Sequence, residues 1–250
     1  MKAIKNIYYT SANHPRQSLD VYLPENATGF PTFVFFHGGG LEQGSKDGSH
    51  MFIDYATTHG VAVICANYRL YPEAAYPDFI RDAASAVAWA HKHMPEHGGD
   101  GRIFVGGSSA GGYLSMMLCF DKKYLAVHKL HPKMIAGFVH MAGQPTTHFN
   151  VLRERGLDSR RVIIDEAAPL YHIGNEAEYA PMMFFVSDND MKNRLEQTML
   201  AVSTLRHFGY DESKFECHVM AGKHCQFEKF VDEDGQSTFG RMLVSFINRH

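Results

Sequence analysis

Apolar residues recur along the chain in two rhythms. Short runs rich in aromatic and β-branched residues fall at residues 19–23, 32–36, 61–66, 102–105, 135–141, 182–186 and 215–220, and each reads as a strand. Longer amphipathic segments at 78–93, 111–120, 192–208 and 239–248 read as helices. The later strands are apolar on both faces, as strands sandwiched between helices are. This alternation predicts an α/β fold, a mostly parallel sheet wrapped by helices. No internal repeat, low-complexity tract or Ser/Gly-rich linker divides the 250 residues, so one domain is expected over 1–250. In such sheets ligands collect at the carboxyl ends of the strands, and chemistry is to be sought just after each apolar run.

Composition narrows the picture. With 45% hydrophobic and 20% charged residues the chain can bury an ordinary core, which excludes disorder and small disulfide scaffolds. A net charge of -3 offers no footprint for a polyanion, so nucleic acid is not an expected partner. The longest apolar stretches, such as 33–36 and 61–65, are far too short to span a membrane, and residues 1–17 lack the apolar stretch of a signal peptide. A cytoplasmic protein without membrane attachment is expected. The cysteines at 65, 119, 217 and 225 are scattered, which predicts free thiols in a reducing compartment.

Four strand ends carry reactive or backbone-exposing residues: His37-Gly38-Gly39-Gly40, Gly107-Ser108-Ser109-Ala110-Gly111, Ser187-Asp188-Asn189-Asp190 and Gly222-Lys223-His224. The second fits Gly-x-Ser-x-Gly between a strand and a helix, the setting in which a serine is lifted on a tight, strained turn. Ser109, centred between the glycines, is the candidate nucleophile in preference to its neighbour Ser108. A serine hydroxyl needs an adjacent base, and the base needs a carboxylate to fix its tautomer. His224 follows a strand, whereas His218 lies inside one and His91, His93 and His207 lie on helices, so position selects His224 as the base. The pair His91 and His93 is too slight for a metal site. Asp188 and Asp190 both follow the 182–186 strand, and either can supply the acid in the chain order Ser, Asp, His. The glycine run after the 32–36 strand exposes amides, so Gly39, Gly40 and Ala110 are candidates for an oxyanion hole.

At this point the chain resembles the α/β-hydrolase superfamily, and within it the esterases of the hormone-sensitive-lipase and BD-FAE-like carbohydrate esterase groups. Besides His-Gly-Gly-Gly and Gly-x-Ser-x-Gly, the segment Asn67-Tyr68-Arg69-Leu70-Tyr71-Pro72-Glu73 with Tyr76-Pro77 and Asp82 is similar to a family motif, as is Ala168-Pro169-Leu170. The resemblance spans residue 19 to the C-terminus. It implies a sheet of about eight strands and places the acid three residues after a small strand-closing residue, which maps to Ser187 and Asp190. It also implies a catalytic His in a loop such as Gly222-Lys223-His224.

The function this implies is a serine carboxylesterase acting on short acyl esters, acetylated or feruloylated sugars among them, with no metal or organic cofactor. Amidase, peptidase or kynurenine-formamidase-like hydrolysis, and a non-catalytic ligand binder on the same fold, are the rival readings. Sequence proximity to the site nominates Leu41, Tyr113, Gln144, His148 and Gln226 as pocket walls. The chain departs from many relatives in having Leu41-Glu42-Gln43 after the glycines and in lacking a helical cap. An insertion at 144–167 is expected to form at most a small lid; its four arginines (153, 155, 160, 161) and four acids (Glu154, Asp158, Asp165, Glu166) cancel, which favours a solvated helical face. Helix edges and sheet ends leave room for a homodimer.

Overall fold

The computed structural model describes residues 1–250 except Asn26 and Ser49. The strands are β1 (Lys2–Tyr8), β2 (Ser18–Leu23), β3 (Phe30–Phe36), β4 (Ala62–Ala66), β5 (Gly99–Ser108), β6 (Gly137–Met141), β7 (Met182–Asn189) and β8 (Phe215–Lys223). They form one sheet in the order β1-β2-β4-β3-β5-β6-β7-β8. The β1–β2 and β2–β4 pairings are antiparallel and all later ones parallel. The helices are α1 (Met51–Thr58), α2 (Asp78–His93), α3 (Ala110–Phe120), α4 (Lys123–Ala126), α5 (Phe149–Glu154), α6 (Arg194–His207) and α7 (Thr238–Arg249).

Period-two alternation divides the core between the two faces of the sheet. In β3, Val34 and Phe36 join one apolar cluster with Phe79, Ile80 and Ala83 of α2, Leu114 of α3 and Val202 and Leu205 of α6. Phe33 and Phe35 point the other way, against Phe52 and Ile53 of α1 and Phe239, Leu243 and Ile247 of α7. Every residue of α3 is buried, which accounts for its near-uniform apolar sequence. The eight-stranded, mostly parallel sheet flanked by helices is the architecture expected from the sequence. No helix among the described residues is long and apolar enough to cross a membrane.

Several boundaries differ from expectation. β1 and α1 carry no strong sequence signal. β1 lies at the sheet edge, mostly exposed, and its register slips between Ile4 and Ile7, which breaks the alternation. β5 runs well beyond the expected 102–105, and β6 starts two residues late, at Gly137. α6 starts at Arg194 because Asn193 takes a left-handed conformation, with φ of 65°. The 144–167 insertion is of two kinds: Gln144, Thr146, Thr147, His148, Asn150, Val151 and Leu152 are buried, whereas residues 160–162 are exposed.

Candidate active site

Ser109 joins β5 to α3 with φ 53° and ψ -109°, a conformation that an L-residue adopts only when its surroundings impose it. The surroundings are tight. A Cβ on Gly111 would stand 1.9 Å from the Phe36 carbonyl oxygen, and one on Gly107 would stand 2.6 Å from the same atom. The Gly-x-Ser-x-Gly spacing is thus what allows β3, β5 and α3 to converge beneath the serine. The Ser109 N–H donates to the Met141 carbonyl at 2.7 Å, so the next amide along, that of Ala110, is the first of α3 left to face a ligand.

The parallel β7–β8 pairing, with Ser187 opposite Met220, carries Asp190 and His224 to the same end of the sheet. Ser109 Oγ donates to His224 Nε2 at 2.8 Å. His224 Nδ1–H in turn donates to Asp190 Oδ1 at 2.5 Å. Asp190 also accepts the Met191 N–H at 2.7 Å and the Ser187 N–H at 3.1 Å. Burial works against ionisation of Asp190, but the bond from His224 and the two amides outweigh it, and its pKa lies below the ordinary carboxylate value. The side chain of Asp190 is 1% exposed and that of His224 25%, so the acid is sealed while the imidazole meets solvent. Asp188 is exposed and accepts the Gly222 N–H at 2.8 Å, tying the end of β7 to the β8 loop without touching the imidazole.

On the opposite flank, residues 38–41 turn sharply, with φ of 119° at Gly39, 65° at Gly40 and 67° at Leu41. The Gly39 carbonyl accepts the N–H groups of Glu42 and Gln43, while the N–H groups of Gly39 and Gly40 meet no protein acceptor among the described residues. Arg16 holds this loop from outside: its guanidinium donates to the Gly44 carbonyl at 3.0 Å, to the Tyr68 carbonyl at 3.2 Å and to His37 Nε2 at 3.2 Å. His37 Nδ1–H donates to the Gly38 carbonyl, and its ring stacks on Tyr68, whose hydroxyl donates to the His37 carbonyl. Burial is the main cause that lowers the His37 pKa to about 4, so the ring is neutral and able to accept from Arg16. Arg69 and Asp82, singled out in the sequence, form a two-pronged ion pair that fixes the segment carrying Tyr68.

The five nominated wall residues fare differently. Leu41 and Tyr113 are fully buried, the latter donating its hydroxyl to the Ala167 carbonyl. His148 is buried and accepts the Asn150 N–H as the cap of α5. Gln226 uses its side-chain oxygen to hold the Lys223 N–H. Gln144 borders a cavity beside the site. Chain adjacency to a site residue does not set side-chain direction, and Leu41, Tyr113 and His148 are buried within the fold. Three groups escaped the sequence reading. Arg16 and Arg194 reach the site from a distant turn and from α6. Glu228, mostly buried, accepts a short hydrogen bond from Ser108 Oγ directly beside Ser109. Burial pushes the Glu228 pKa up. Its place directly after Cys225-Gln226-Phe227 gave no signal.

Residues 33–230 match the model of a family described by its alpha/beta hydrolase fold. The chain belongs to the α/β-hydrolase family. It is 34% identical over 105 residues to a "Probable isoprenylcysteine alpha-carbonyl methylesterase" of Arabidopsis thaliana, covering 41% of this chain and 22% of that protein. It is 39% identical over 102 residues to carboxylic ester hydrolase LipN of Mycobacterium tuberculosis, covering 39% of this chain and 27% of LipN. The matched part thus spans about a quarter of these relatives' length. Among solved structures, a truncated carbohydrate esterase from gut microbiota superposes with a TM-score of 0.79 at 17% identity, over 100% of this chain and 96% of that one. This α/β-hydrolase therefore has both the fold and the family its sequence motifs imply.

Proposed function

We propose that this α/β-hydrolase is a serine carboxylesterase that cleaves short-chain acyl esters. The observation that carries the reading is the unbroken relay from Ser109 Oγ through His224 to Asp190, set beside the unpaired amides of Gly39 and Gly40. His224 Nε2 takes the Ser109 proton as Oγ forms a bond to the ester carbonyl carbon. The developing oxyanion is received by the N–H groups of Gly39, Gly40 and Ala110. Collapse breaks the bond to the alcohol, which leaves with the proton held by His224; water, deprotonated by the same imidazole, then releases the acid. Asp190, kept as a carboxylate, fixes the tautomer with Nδ1–H and stabilises the imidazolium.

The names of the relatives, a carboxylic ester hydrolase and a methylesterase among them, support ester chemistry, and the carbohydrate esterase supports acetylated or feruloylated sugars as a substrate class. The partly exposed His224, its side chain a quarter open to solvent, fits an open site without a large cap. The test is Ser109→Ala. The variant is expected to keep the wild-type circular dichroism and Tm, to lose turnover of p-nitrophenyl acetate and to lose labelling by a fluorophosphonate. Retained turnover in the folded variant overturns the reading. An acyl-length series of p-nitrophenyl esters run beside acetylated xylan tests the substrate class.

A further inference from the structure

A cavity of about 570 Å³ opens between the 144–167 insertion and the start of α6, walled in part by Gln144, Phe149, Arg160, Arg161, Lys192 and Arg194. It adjoins the candidate active site on two sides. The Phe149 ring lies over the glycine turn, where a Cβ on Gly40 would stand 3.0 Å from Phe149 Cζ. Met191, another wall residue, follows Asp190 and donates its N–H to that carboxylate.

The charge of this cavity runs against that of the chain. The protein is net negative, yet the charged side chains in the cavity wall are all cations: Arg160, Arg161, Lys192 and Arg194. Arg160 is neutralised by Asp158. Arg153, across the Phe149 ring, is neutralised by Glu42 at 2.8 Å. For Arg161, Lys192 and Arg194 no carboxylate lies within ion-pairing distance among the described residues.

Arg194 is the informative member, because it is 4% exposed. Its guanidinium donates to the Ala142 carbonyl at 2.6 Å and to Gln144 Oε1 at 3.3 Å, both neutral acceptors. A guanidinium has five N–H donors, so these two bonds leave donors over. Asp190 favours the Arg194 charge from farther off, but that carboxylate is already bonded to His224 and two amides. A buried cation without a bonded anion is costly, and an anion entering the cavity would complete the pair.

We propose that this cavity receives an oxyanion carried by the substrate, so that the preferred ester bears a carboxylate a few bonds from the scissile carbonyl. The inference rests on the esterase reading and names the substrate class for that site. Arg161 and Lys192 form the outer rim that draws the anion in, and Arg194 the floor that Gln144 holds in orientation.

Matched ester pairs test it at low salt. The mono-p-nitrophenyl ester of adipic acid is compared with p-nitrophenyl hexanoate, placing the charge on the acyl side. p-(Carboxymethyl)phenyl acetate is compared with p-ethylphenyl acetate, placing it on the alcohol side. One of the anionic esters is expected to have a kcat/KM at least about ten-fold above its neutral partner, as one added ion pair in a partly dry cleft supplies. That ratio is expected to fall about five-fold or more in Arg161→Gln/Lys192→Gln and in 0.5 M salt, where rim charges are screened. Ratios at or below one for both pairs, or a ratio unchanged in the double variant, overturn the proposal. Turnover of the neutral esters reports on the esterase reading separately. Should no ester be turned over, titration calorimetry with the Ser109→Ala protein decides: tighter binding of the adipate monoester than of the hexanoate ester supports the anion site, and equal or weaker binding overturns it.

Discussion

On one flank of Ser109 the glycine turn after β3 is locked by Arg16, His37 and Tyr68, and both rings are buried, stacked and hydrogen-bonded to the turn or its neighbours. On the other flank the ends of β7 and β8 lie near the surface, tied by Asp188, Ser187 and Gln226, with the Asp190 side chain and Ser187 sealed beneath an exposed Asp188. The difference follows from what each flank is proposed to do. Amides that stabilise a developing charge work only if they are aimed beforehand and need not reorganise, which calls for a rigid, dry backing. A base that serves first a serine and then a water has to stay reachable by solvent, which calls for an open imidazole on a sealed anchor.

The largest effect is expected on the open flank. Asp190→Asn is expected to cut kcat for p-nitrophenyl acetate by about 10⁴-fold, as loss of the orienting carboxylate does in a comparable triad. Asp188→Asn, which loses only a tie to Gly222, is expected to cost less than about ten-fold under the same mechanism. A larger loss at Asp188 would reverse the assignment. Next comes the rigid flank. A Cβ on Gly39 would stand 2.1 Å from the Gln43 carbonyl oxygen in a backbone conformation with φ of 119°, so Gly39→Ala has to displace the turn. A loss of about 10²-fold to 10³-fold in kcat is expected, the usual effect of removing one oxyanion donor, together with a lower Tm. Wild-type turnover in Gly39→Ala would show that these amides do not bind the oxyanion.

Acid sharpens the contrast further. His37 has a pKa of about 4 in the fold against 6.5 unfolded, so the unfolded chain binds the proton first as pH falls. Its stabilising contribution is complete above pH 6.5 and drains away towards pH 4, about 3 kcal/mol in all. Urea unfolding of His37→Gln is expected to show a correspondingly shallower fall between pH 7 and 4; an unchanged slope would contradict a buried neutral ring. The smallest effect is at Glu228. Its pKa is raised above 4.5 by burial, so the folded state holds the proton longer and stability declines as pH rises through that raised value. Glu228→Gln is expected to gain Tm relative to wild type from pH 4 to pH 7, and a difference independent of pH would refute this.

Much of this was legible before any coordinates. The turn that carries Ser109, the loop that carries His224 and the glycine run announce themselves because each needs rare residue types at a fixed spacing beside a strand. Ser109, His224 and Asp190 are found together as the strand ends require, although choosing Asp190 over Asp188 depended on the family pattern and not on the residues alone. The clamp was invisible: Arg16 lies in the β1–β2 connection, and nothing local marks a guanidinium that reaches a loop more than twenty residues away. Glu228 and Arg194 were missed for the same reason, since their partners, Ser108 and the Ala142 carbonyl, are distant in the chain. The nominated wall residues divide, Gln144 bordering a cavity while Leu41, Tyr113 and His148 are buried. Leu41 takes a left-handed backbone conformation that turns its side chain into the core, and sequence does not reveal that reversal.

The position of Arg16 bears on anyone who engineers the molecule. It lies in the connection between β1 and β2, outside the parallel strands β3 to β8 that carry the site. A shortened gene that begins after this connection would keep every residue of the relay and those six strands, yet it would unlatch the glycine turn. Such a product would bind fluorophosphonate poorly while still carrying the serine, and its defect would be traced to the wrong end of the chain.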